Sequence, residues 1–289
     1  MSQSPFFAVI GGSGLYQFPG LADPQTYDLD TPYGKPSAPV VTGLLAGRNV
    51  AFLARHGIGH TILPGEINNR ANMYALKMLG VKRIVAVSAC GSLRADYAPG
   101  HLIVPDQVFD FTRGRIRSFF GEGLVAHIEA ADPFCARLSE YVYQALNQTG
   151  ATVHPNGTMI TIEGPRFSTK AESHLYRSWG LSAIGMTTCP EVFLAREAGM
   201  CYSTIAHVTD YDVWHSSEAP VNVEMVISTM HQSLNTVQRA IEILVEILPE
   251  DTDCECQNML AKAFITDPAR IPPETRQNLG WLVDKFLPS

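Results

Sequence analysis

Two acidic side chains separated by one residue follow an apolar segment towards the C-terminal end of the chain. Asp210 and Asp212 come after the apolar residues 201–207, and Thr209 stands directly before the first of them. Two carboxyl groups beside a hydroxyl can act as an acid and its partner in proton transfer. The same residues also fit a solvated turn, and spacing alone favours the turn.

An arginine and two histidines lie in a glycine-rich segment that follows another apolar run. Residues 55–60 read RHGIGH. The guanidinium of Arg55 offers a planar fork to a phosphate dianion, and the ring of His56 offers one more donor. The spacing of His56 and His60 would suit a metal on a helix, but the glycines between them disfavour a helix. A surface loop with two solvated histidines is the alternative.

A glycine cluster follows the first apolar run. Residues 11–15 read GGSGL after the β-prone residues 6–10. The backbone N–H groups of such a loop can hold phosphate together with the Ser13 hydroxyl, although a plain glycine turn has the same pattern. A dinucleotide fingerprint would need glycine at Gln17, a P-loop would need Gly-Lys-Ser/Thr, and a serine-hydrolase elbow would need glycine at Leu15.

The segment 161–168, TIEGPRFS, is densely polar and lies between a predicted strand and a predicted helix. Glu163 and Arg166 can form a salt bridge, and Ser168 can cap the helix that follows. Phe167 can stack on a flat heterocycle or belong to the core.

The elements that would position these residues alternate between strand and helix. Strands are predicted at 6–10, 83–89, 182–186 and 201–207, with a strand pair in 38–54 and one or two strands in 151–162. Helices are predicted at 68–79, 133–148, 170–179, 190–198 and 222–248, with one or two short helices after an acidic linker at 249–253. This alternation predicts an α/β fold with a mixed central β-sheet flanked by helices. We predict one main domain at residues 1–250 and a C-terminal helical extension at 251–289 that packs on it.

Hydroxyl side chains recur where the predicted strands end. Ser13, Ser88, Thr187 and Thr209 each follow or close an apolar run. Ligands of α/β sheets bind beyond the carboxyl ends of the strands. We therefore expect these loops to converge on one site.

Composition excludes several classes of function. Lys plus Arg is 21 and Asp plus Glu is 28, so the net charge is −7, and the chain has no run of basic residues. Nucleic acids and anionic membranes are therefore poor partners. We see no signal peptide and no apolar stretch long enough to span a membrane, and we expect a cytoplasmic location.

The six cysteines are scattered, and a chain of 289 residues has no need of a disulfide framework. Cys254 and Cys256 are the exception, because two thiols one residue apart can form a strained bridge or half of a metal site. The sequence shows no second pair beside them, so we predict no metal site.

Six of these segments, in this order along the chain, resemble the 5'-methylthioadenosine phosphorylases, a branch of the trimeric purine nucleoside phosphorylases. The matching pieces are GGSGL at 11–15, RHGIGH at 55–60, ACGSL at 89–93, TIEGPRFS at 161–168, MTTCPEV at 186–192 and TDYDVW at 209–214. The resemblance implies a nucleoside phosphorylase-like fold with the C-terminal helices appended. It also implies no cofactor, since inorganic phosphate is the co-substrate.

The resemblance implies that phosphate attacks C1' of the nucleoside from the face opposite the base, through an oxocarbenium-like transition state. The residues that it implies for phosphate binding are Ser13, Arg55, His56, Ser88, Ala89 and Thr187. Family members often carry Thr where Ser13 and Ser88 stand, and either hydroxyl can donate.

At the base, Asp210 matches the acid that reads the purine in the family, with Asp212 nearby as a second catalytic candidate. A protonated carboxyl can donate to purine N7 while its carbonyl accepts from a 6-amino group. Relatives that act on 6-oxopurines tend to have Asn at this position. Phe167 and Ser168 are expected at the base and Met186 at the ribose.

At the 5' end of the sugar, the resemblance places Val223 and Val226 as an apolar wall that favours a methylthio group over a hydroxyl. His127 matches a histidine that a neighbouring subunit contributes, and His60 lies near it. The resemblance therefore implies a homotrimer or a dimer of trimers. Cys135, Cys201, Cys254 and Cys256 resemble cysteines that form disulfides in some thermophilic members. Only 17% of the residues are charged, which is low for a hyperthermophile, and we expect reduced thiols.

Two other functions fit parts of the pattern. A sibling enzyme would release the base of methylthioinosine, inosine or guanosine, but Asp210 argues against it. A nucleotide-binding module without turnover has only the glycine-rich loop in its favour.

Overall fold

A mixed β-sheet forms the centre of the molecule. The computed structural model describes residues 4–12, 18–216, 221–251 and 253–287. Its strands are β1 Phe7–Gly11, β2 Ala22–Tyr27, β3 Val40–Leu45, β4 Arg48–Ala54, β5 Arg83–Ser92, β6 Leu102–Ile103, β7 Gln107–Phe111, β8 Val153–His154, β9 Thr158–Ile162, β10 Ala183–Gly185 and β11 Cys201–Asp210. The order is β2-β3-β4-β1-β5-β10-β9-β7, while β11 pairs with β5 and β6, and β8 pairs with β6. The mixed α/β fold is thus confirmed.

Strand β5 is the central strand because three others pair with it. β1 and β11 run parallel to it, and β10 runs antiparallel to its last residues. The apolar and β-branched start of β5, RIVAV, is buried, as expected of a strand covered on both faces. Because β1, β5 and β11 run the same way, their carboxyl ends meet at one edge of the sheet.

The helices are α1 Asn69–Met78, α2 Ala136–Asn147, α3 Lys170–Ser178, α4 Thr188–Glu197, α5 Val223–Ile247 and α6 Pro273–Leu279. The predicted helices are confirmed to within a few residues. Side-chain caps mark three of the starts: Asn68 accepts from Ala71 N–H, Asn222 accepts from Met225 N–H, and Thr169 forms a capping box with Glu172. The cap of α3 is therefore Thr169 and not Ser168.

Alternating side chains of the sheet enter two cores. Ala8 and Ile10 of β1 pack on the face that carries α1, α4 and the C-terminal residues, whereas Phe7 and Val9 pack on the face that carries α2 and α5. The C-terminal segment adds Leu282 and Val283 to the first core. Ile265 N–H also donates to the carbonyl of Val125. None of the described helices is long and apolar enough to cross a membrane.

Three strands of the structure were not predicted from the sequence. β2 (ADPQTY) is almost fully exposed and has no apolar alternation, β6 has only two residues, and the side chains of β7 are at most half-buried. Strands of this kind form because a neighbouring strand offers pairing, so local pattern does not reveal them.

Candidate active site

A cavity of about 600 Å³ opens where β5, β10 and β11 approach helix α5. Most of the side chains that the sequence singled out line it: Arg55, His56, His60, Ser88, Ala89, Phe167, Ser168, Met186, Thr187, Asp210, Asp212, Val223 and Val226. Ser13 lies outside the described residues. The hydroxyl-bearing residues Ser88, Thr187 and Thr209 do converge on this cavity, but Ser88 and Thr209 lie within strands β5 and β11 where loops were expected. The individual roles of these residues stay predictions.

Asp210 closes strand β11 with a carboxyl group that is almost wholly buried. Its Oδ1 accepts from the backbone N–H of Asp212 at 2.7 Å, and its Oδ2 accepts from the Thr209 hydroxyl at 2.6 Å. Burial raises the pKa of Asp210 above the usual aspartate value. The Thr209 hydroxyl also lies 3.3 Å from the carbonyl of Cys90, so it can turn to that carbonyl when Asp210 carries a proton.

Asp212 is the second buried acid of the cavity. Burial raises the pKa of its carboxyl, and the nearby hydroxyls of Ser173 and Ser168 offset part of this effect. The charge of Asp212 also raises the pKa of Asp210. Because both side chains are buried, the solvated turn that spacing alone favoured is wrong. Two negative charges this close together in a buried site are disfavoured, which favours a proton on one of the two acids.

Gly91 of β5 lets Asp210 approach the centre of the sheet. Gly91 is the register partner of Asp210. A Cβ at this position would lie 2.8 Å from Asp210 Oδ1 and 3.1 Å from Ile184 Cγ2. Only glycine therefore leaves room for the carboxyl in its observed place.

Arg55 is fully buried, and its fork is already occupied by an acid that the sequence did not single out. Its Nε and one terminal nitrogen donate to Glu191 at 2.8 and 2.9 Å, and the other terminal nitrogen donates to the carbonyl of Val87. Glu191 Oε1 also accepts from the Tyr202 hydroxyl at 2.6 Å. The fork of Arg55 is thus engaged by Glu191, while the side chain still lines the cavity, and its role in phosphate binding stays a prediction.

His56 is held as a neutral ring. Its Nδ1 lies 2.9 Å from the carbonyl of Ile62, so this nitrogen carries the proton and donates. Burial, with the positive charge of Arg55, lowers the pKa of His56 to about 4. Its Nε2 is then an acceptor, where the sequence predicted a further donor. Such a nitrogen can accept from the hydroxyl of a phosphate monoanion or dianion. The ring of His60 stacks on His56 at 4.3 Å.

Two hydroxyl groups remain available at this end of the cavity. Ser88 Oγ is buried and has no hydrogen-bond partner within the described chain. Thr187 is the N-cap residue of α4, yet its side chain makes no capping bond. Together with buried Arg55, these groups form a site suited to one phosphate.

Arg115 is a further buried residue that the sequence did not reveal. Its guanidinium donates to the carbonyls of Met186 and Cys189 at 2.7 Å each, and to both a side-chain and a backbone oxygen of Glu163. It thereby fixes the loop that carries Met186 and Thr187. The expected Glu163–Arg166 bridge is wrong, because Arg166 instead pairs with Glu172 at 2.6 Å.

Helix α5 forms the apolar side of the cavity. Val223, Val226, Ile227 and Met230 line it at helical spacing, followed by Leu234 and Val237 further along the helix. Only the two valines were predicted, although the i, i+3, i+4, i+7 pattern was readable in the sequence. Val223 is 62% exposed and Ile227 48% exposed, so this side of the wall faces solvent in a single chain.

Two other histidines lie at different places relative to the cavity. His127 is exposed and is not among the residues that line the cavity of its own chain. His207 was not predicted, yet it lines the cavity from β11, and burial lowers its pKa to about 4. A lone histidine inside an apolar strand gives no sequence signal that separates a cavity residue from a core residue.

Known proteins match the chain over almost its full length. The sequence profile of the phosphorylase superfamily matches residues 6–246. An S-methyl-5'-thioadenosine phosphorylase of Geobacter sulfurreducens is 49% identical over 280 residues, which are 96% of this chain and 98% of that protein. One of Thermofilum pendens is 50% identical over 257 residues, 89% of this chain and 97% of that protein.

Solved structures agree with the sequence matches. A methylthioadenosine phosphorylase from an Antarctic soil metagenomic library superposes with a TM-score of 0.92 at 41% identity, over 96% of this chain and 99% of that chain. A mutant of the adenosine/methylthioadenosine phosphorylase of Schistosoma mansoni, in complex with methylthioadenosine, gives a TM-score of 0.78 at 38% identity, over 86% of this chain and 93% of that chain.

Proposed function

Because the chain belongs to the phosphorylase superfamily, we propose that it splits S-methyl-5'-thioadenosine with inorganic phosphate, giving adenine and 5-methylthioribose 1-phosphate. Relatives named for this activity are 45–50% identical to the chain. The observation that carries the proposal is one cavity that holds both a buried acid of raised pKa, Asp210, and a cluster suited to phosphate. The enzyme is a pentosyltransferase that serves methionine and purine salvage.

Phosphate binds among Ser88, Thr187 and the charge of Arg55, with Ser13 and the backbone of Ala89 completing the site. The attacking oxygen displaces the purine at C1', so the C–N bond breaks as the C–O bond forms. Holding the two reactants in line removes much of the entropic barrier to this step. His56, neutral at Nε2, accepts a hydrogen bond from the remaining hydroxyl of the phosphate and so turns a charged oxygen towards the sugar.

The purine leaves more easily when a proton reaches N7. Asp210 is suited to this because its buried carboxyl keeps a proton at higher pH than an exposed aspartate. The same group selects the base, since its carbonyl accepts from a 6-amino group but meets an acceptor in a 6-oxopurine. Phe167 covers the base, and Ser168 and Asp212 orient the acid and the ring.

The 5' group of the sugar lies against α5, where Val223 and Val226 form an apolar wall. Val223 and its neighbour on the wall, Ile227, are exposed in a single chain, which supports a neighbouring subunit that covers them. We propose that His127 of that neighbour closes the pocket in a homotrimer or a dimer of trimers. The cytoplasmic location and the absence of a metal from catalysis stay predictions from the sequence.

The decisive experiment measures base release from methylthioadenosine with and without inorganic phosphate, with adenosine and methylthioinosine in parallel. We expect phosphate-dependent release of adenine, fastest from methylthioadenosine. Release without phosphate would make the protein a hydrolase and overturn the phosphate site. Faster release of hypoxanthine would favour the sibling activity on 6-oxopurines, and binding without turnover would leave a nucleotide-binding module.

Replacing Val226 by histidine tests the apolar wall. Val226→His places a polar ring beside the 5' position, so we expect kcat/KM for adenosine to rise relative to that for methylthioadenosine by about 10-fold, the discrimination typical of one apolar contact. Steady-state kinetics with both substrates measures the ratio. Ile265→His is the matched control, because Ile265 is 69% exposed and does not line the cavity. An unchanged ratio in Val226→His would show that this residue does not face the 5' group.

A further inference from the structure

Four cysteine sulfur atoms meet at the amino end of β11. The Sγ atoms of Cys135, Cys201, Cys254 and Cys256 all lie within 4.8 Å of one another. Three of these side chains are buried and Cys254 is half-buried. Asp210 closes the opposite end of the same strand, nine residues away, which is roughly 30 Å of extended chain. The cluster is therefore separate from the candidate active site.

The fold supplies the second pair of thiols that the sequence did not show beside Cys254 and Cys256. Cys201 begins β11, and Cys135 is the N-cap residue of α2. The backbone N–H of Cys135 donates to the carbonyl of Tyr202, which fixes the two elements together. Cys135 and Cys254, which are 119 residues apart along the chain, thus become neighbours. The absence of a second cysteine pair near Cys254 and Cys256 in the sequence therefore does not exclude a metal site, because Cys135 and Cys201 supply that pair in the fold.

The distances fit a single tetrahedral ion. Zn²⁺ binds thiolates at about 2.3 Å, so two ligands at the corners of a tetrahedron lie about 3.8 Å apart. Cys135 Sγ and Cys254 Sγ are 3.8 Å apart. The widest separation in the cluster exceeds this edge by no more than about 1 Å. Two disulfides would need only two close pairs, whereas here all four atoms approach one another. We propose that Cys135, Cys201, Cys254 and Cys256 bind one structural Zn²⁺.

The surroundings compensate the charge of such a site. Four thiolates and one Zn²⁺ carry a net charge of −2, and the four thiols release up to four protons on binding. Arg83 and Arg137 line the small cavity beside Cys135, Cys201 and Cys254. The N-terminus of α2 adds a partial positive charge at Cys135.

The same arginines hold the segment that delivers the last two ligands. Arg83 donates to the carbonyls of Pro249 and Asp251, and Arg137 donates to the carbonyl of Asp253 at 2.7 Å. With all four positions taken by protein, the ion has no open site for substrate, which is typical of structural zinc. Its effect is to fasten the start of the C-terminal segment to α2 and β11.

The test measures zinc in the full chain, purified under reducing conditions without a metal-affinity resin or chelator. We expect about one zinc per chain by plasma mass spectrometry, and after exchange with Co²⁺ the intense visible absorption of tetrahedral cobalt thiolate. Cys256→Ser and Cys254→Ser are expected to lose the metal and the cobalt absorption. The matched control is Cys189→Ala, a buried thiol outside the cluster, which is expected to keep both.

Retained base-release activity and circular dichroism of the serine variants separate loss of metal from loss of fold, because the cluster lies far from the cavity. Protein that is folded and active but contains no zinc, and takes up none when Zn²⁺ is supplied under reducing conditions, would overturn the proposal. So would disulfides among these cysteines that persist in the reductant and appear in the intact mass as missing hydrogens. Zinc that remains in both serine variants would equally overturn it.

Discussion

Asp210→Asn is expected to lower kcat/KM for methylthioadenosine by about 10²–10⁴-fold, the usual contribution of a general acid. The buried carboxyl of Asp210 is held in the cavity by two hydrogen bonds, one from the Thr209 hydroxyl and one from the backbone N–H of Asp212. An amide keeps the shape, and it can accept from the N–H of Asp212 and donate to the Thr209 oxygen, but it carries no proton that it can give up to N7. Adenine release at saturating phosphate measures the loss.

The choice of base should change in the same variant. The amide introduced by Asp210→Asn can donate to a 6-oxo group, whereas the single proton of the carboxyl is committed to N7, and an unpaired buried group costs about 1–3 kcal/mol. We therefore expect the ratio of hypoxanthine to adenine release to rise. Asp212→Asn is the matched comparison, because it removes a second buried acid of the same cavity without changing the group assigned to N7. Full activity of Asp210→Asn on methylthioadenosine would show that Asp210 is not the acid.

The dependence of kcat on pH independently tests whether Asp210 acts as the acid. Burial raises the pKa of Asp210, so the protonated form persists to higher pH than in an exposed aspartate. The wild-type kcat should fall as pH rises through this raised pKa, and the fall should be absent in Asp210→Asn. His56 and His207 are neutral above about pH 4, so they contribute no change in that window.

Glu191→Gln is expected to destabilise the protein by about 3–5 kcal/mol, the cost of leaving a buried charge without its partner. The side chains of Arg55 and Glu191 are 2% and 0% exposed, so the ion pair is almost wholly shielded from solvent. The amide keeps one acceptor for Arg55 but removes the charge, and its N–H₂ opposes the donors of Arg55 and Tyr202. Equilibrium unfolding in urea, at one fixed chain concentration, measures the loss.

Glu242→Gln is the matched control. It removes a carboxylate from a surface pair, Arg239–Glu242, at 3.0 Å, where the two side chains are 59% and 34% exposed. Exposed pairs contribute no more than about 1 kcal/mol. If Glu191→Gln lost no more stability than this control, Glu191 would not be compensating the charge of Arg55. A raised KM for phosphate in Glu191→Gln would further connect the pair to the cavity.

The sequence by itself determined the class of fold and most of the cavity. Strands such as β5 and helices such as α5 are predictable from the local spacing of apolar residues, because the burial of one face or of both sets that spacing. Apolar runs followed by polar residues placed Asp210 and Thr187 near the ends of strands. Ser88 lies inside β5, and only the structure shows that β10 pairs antiparallel with the end of β5 and so brings Thr187 to the same cavity. Exposed β2 and short β6 lacked any such local signal.

Only the tertiary structure decided which polar groups face each other. Arg55 and Glu191 are 136 residues apart, and nothing local indicates that the fork of Arg55 faces a buried acid. The same holds for the neutral state of His56, which a carbonyl six residues away fixes, and for Cys135 beside Cys254. Hydrogen-bond partners and pKa values depend on distance and burial in three dimensions, whereas sequence spacing reports only the local periodicity of one element.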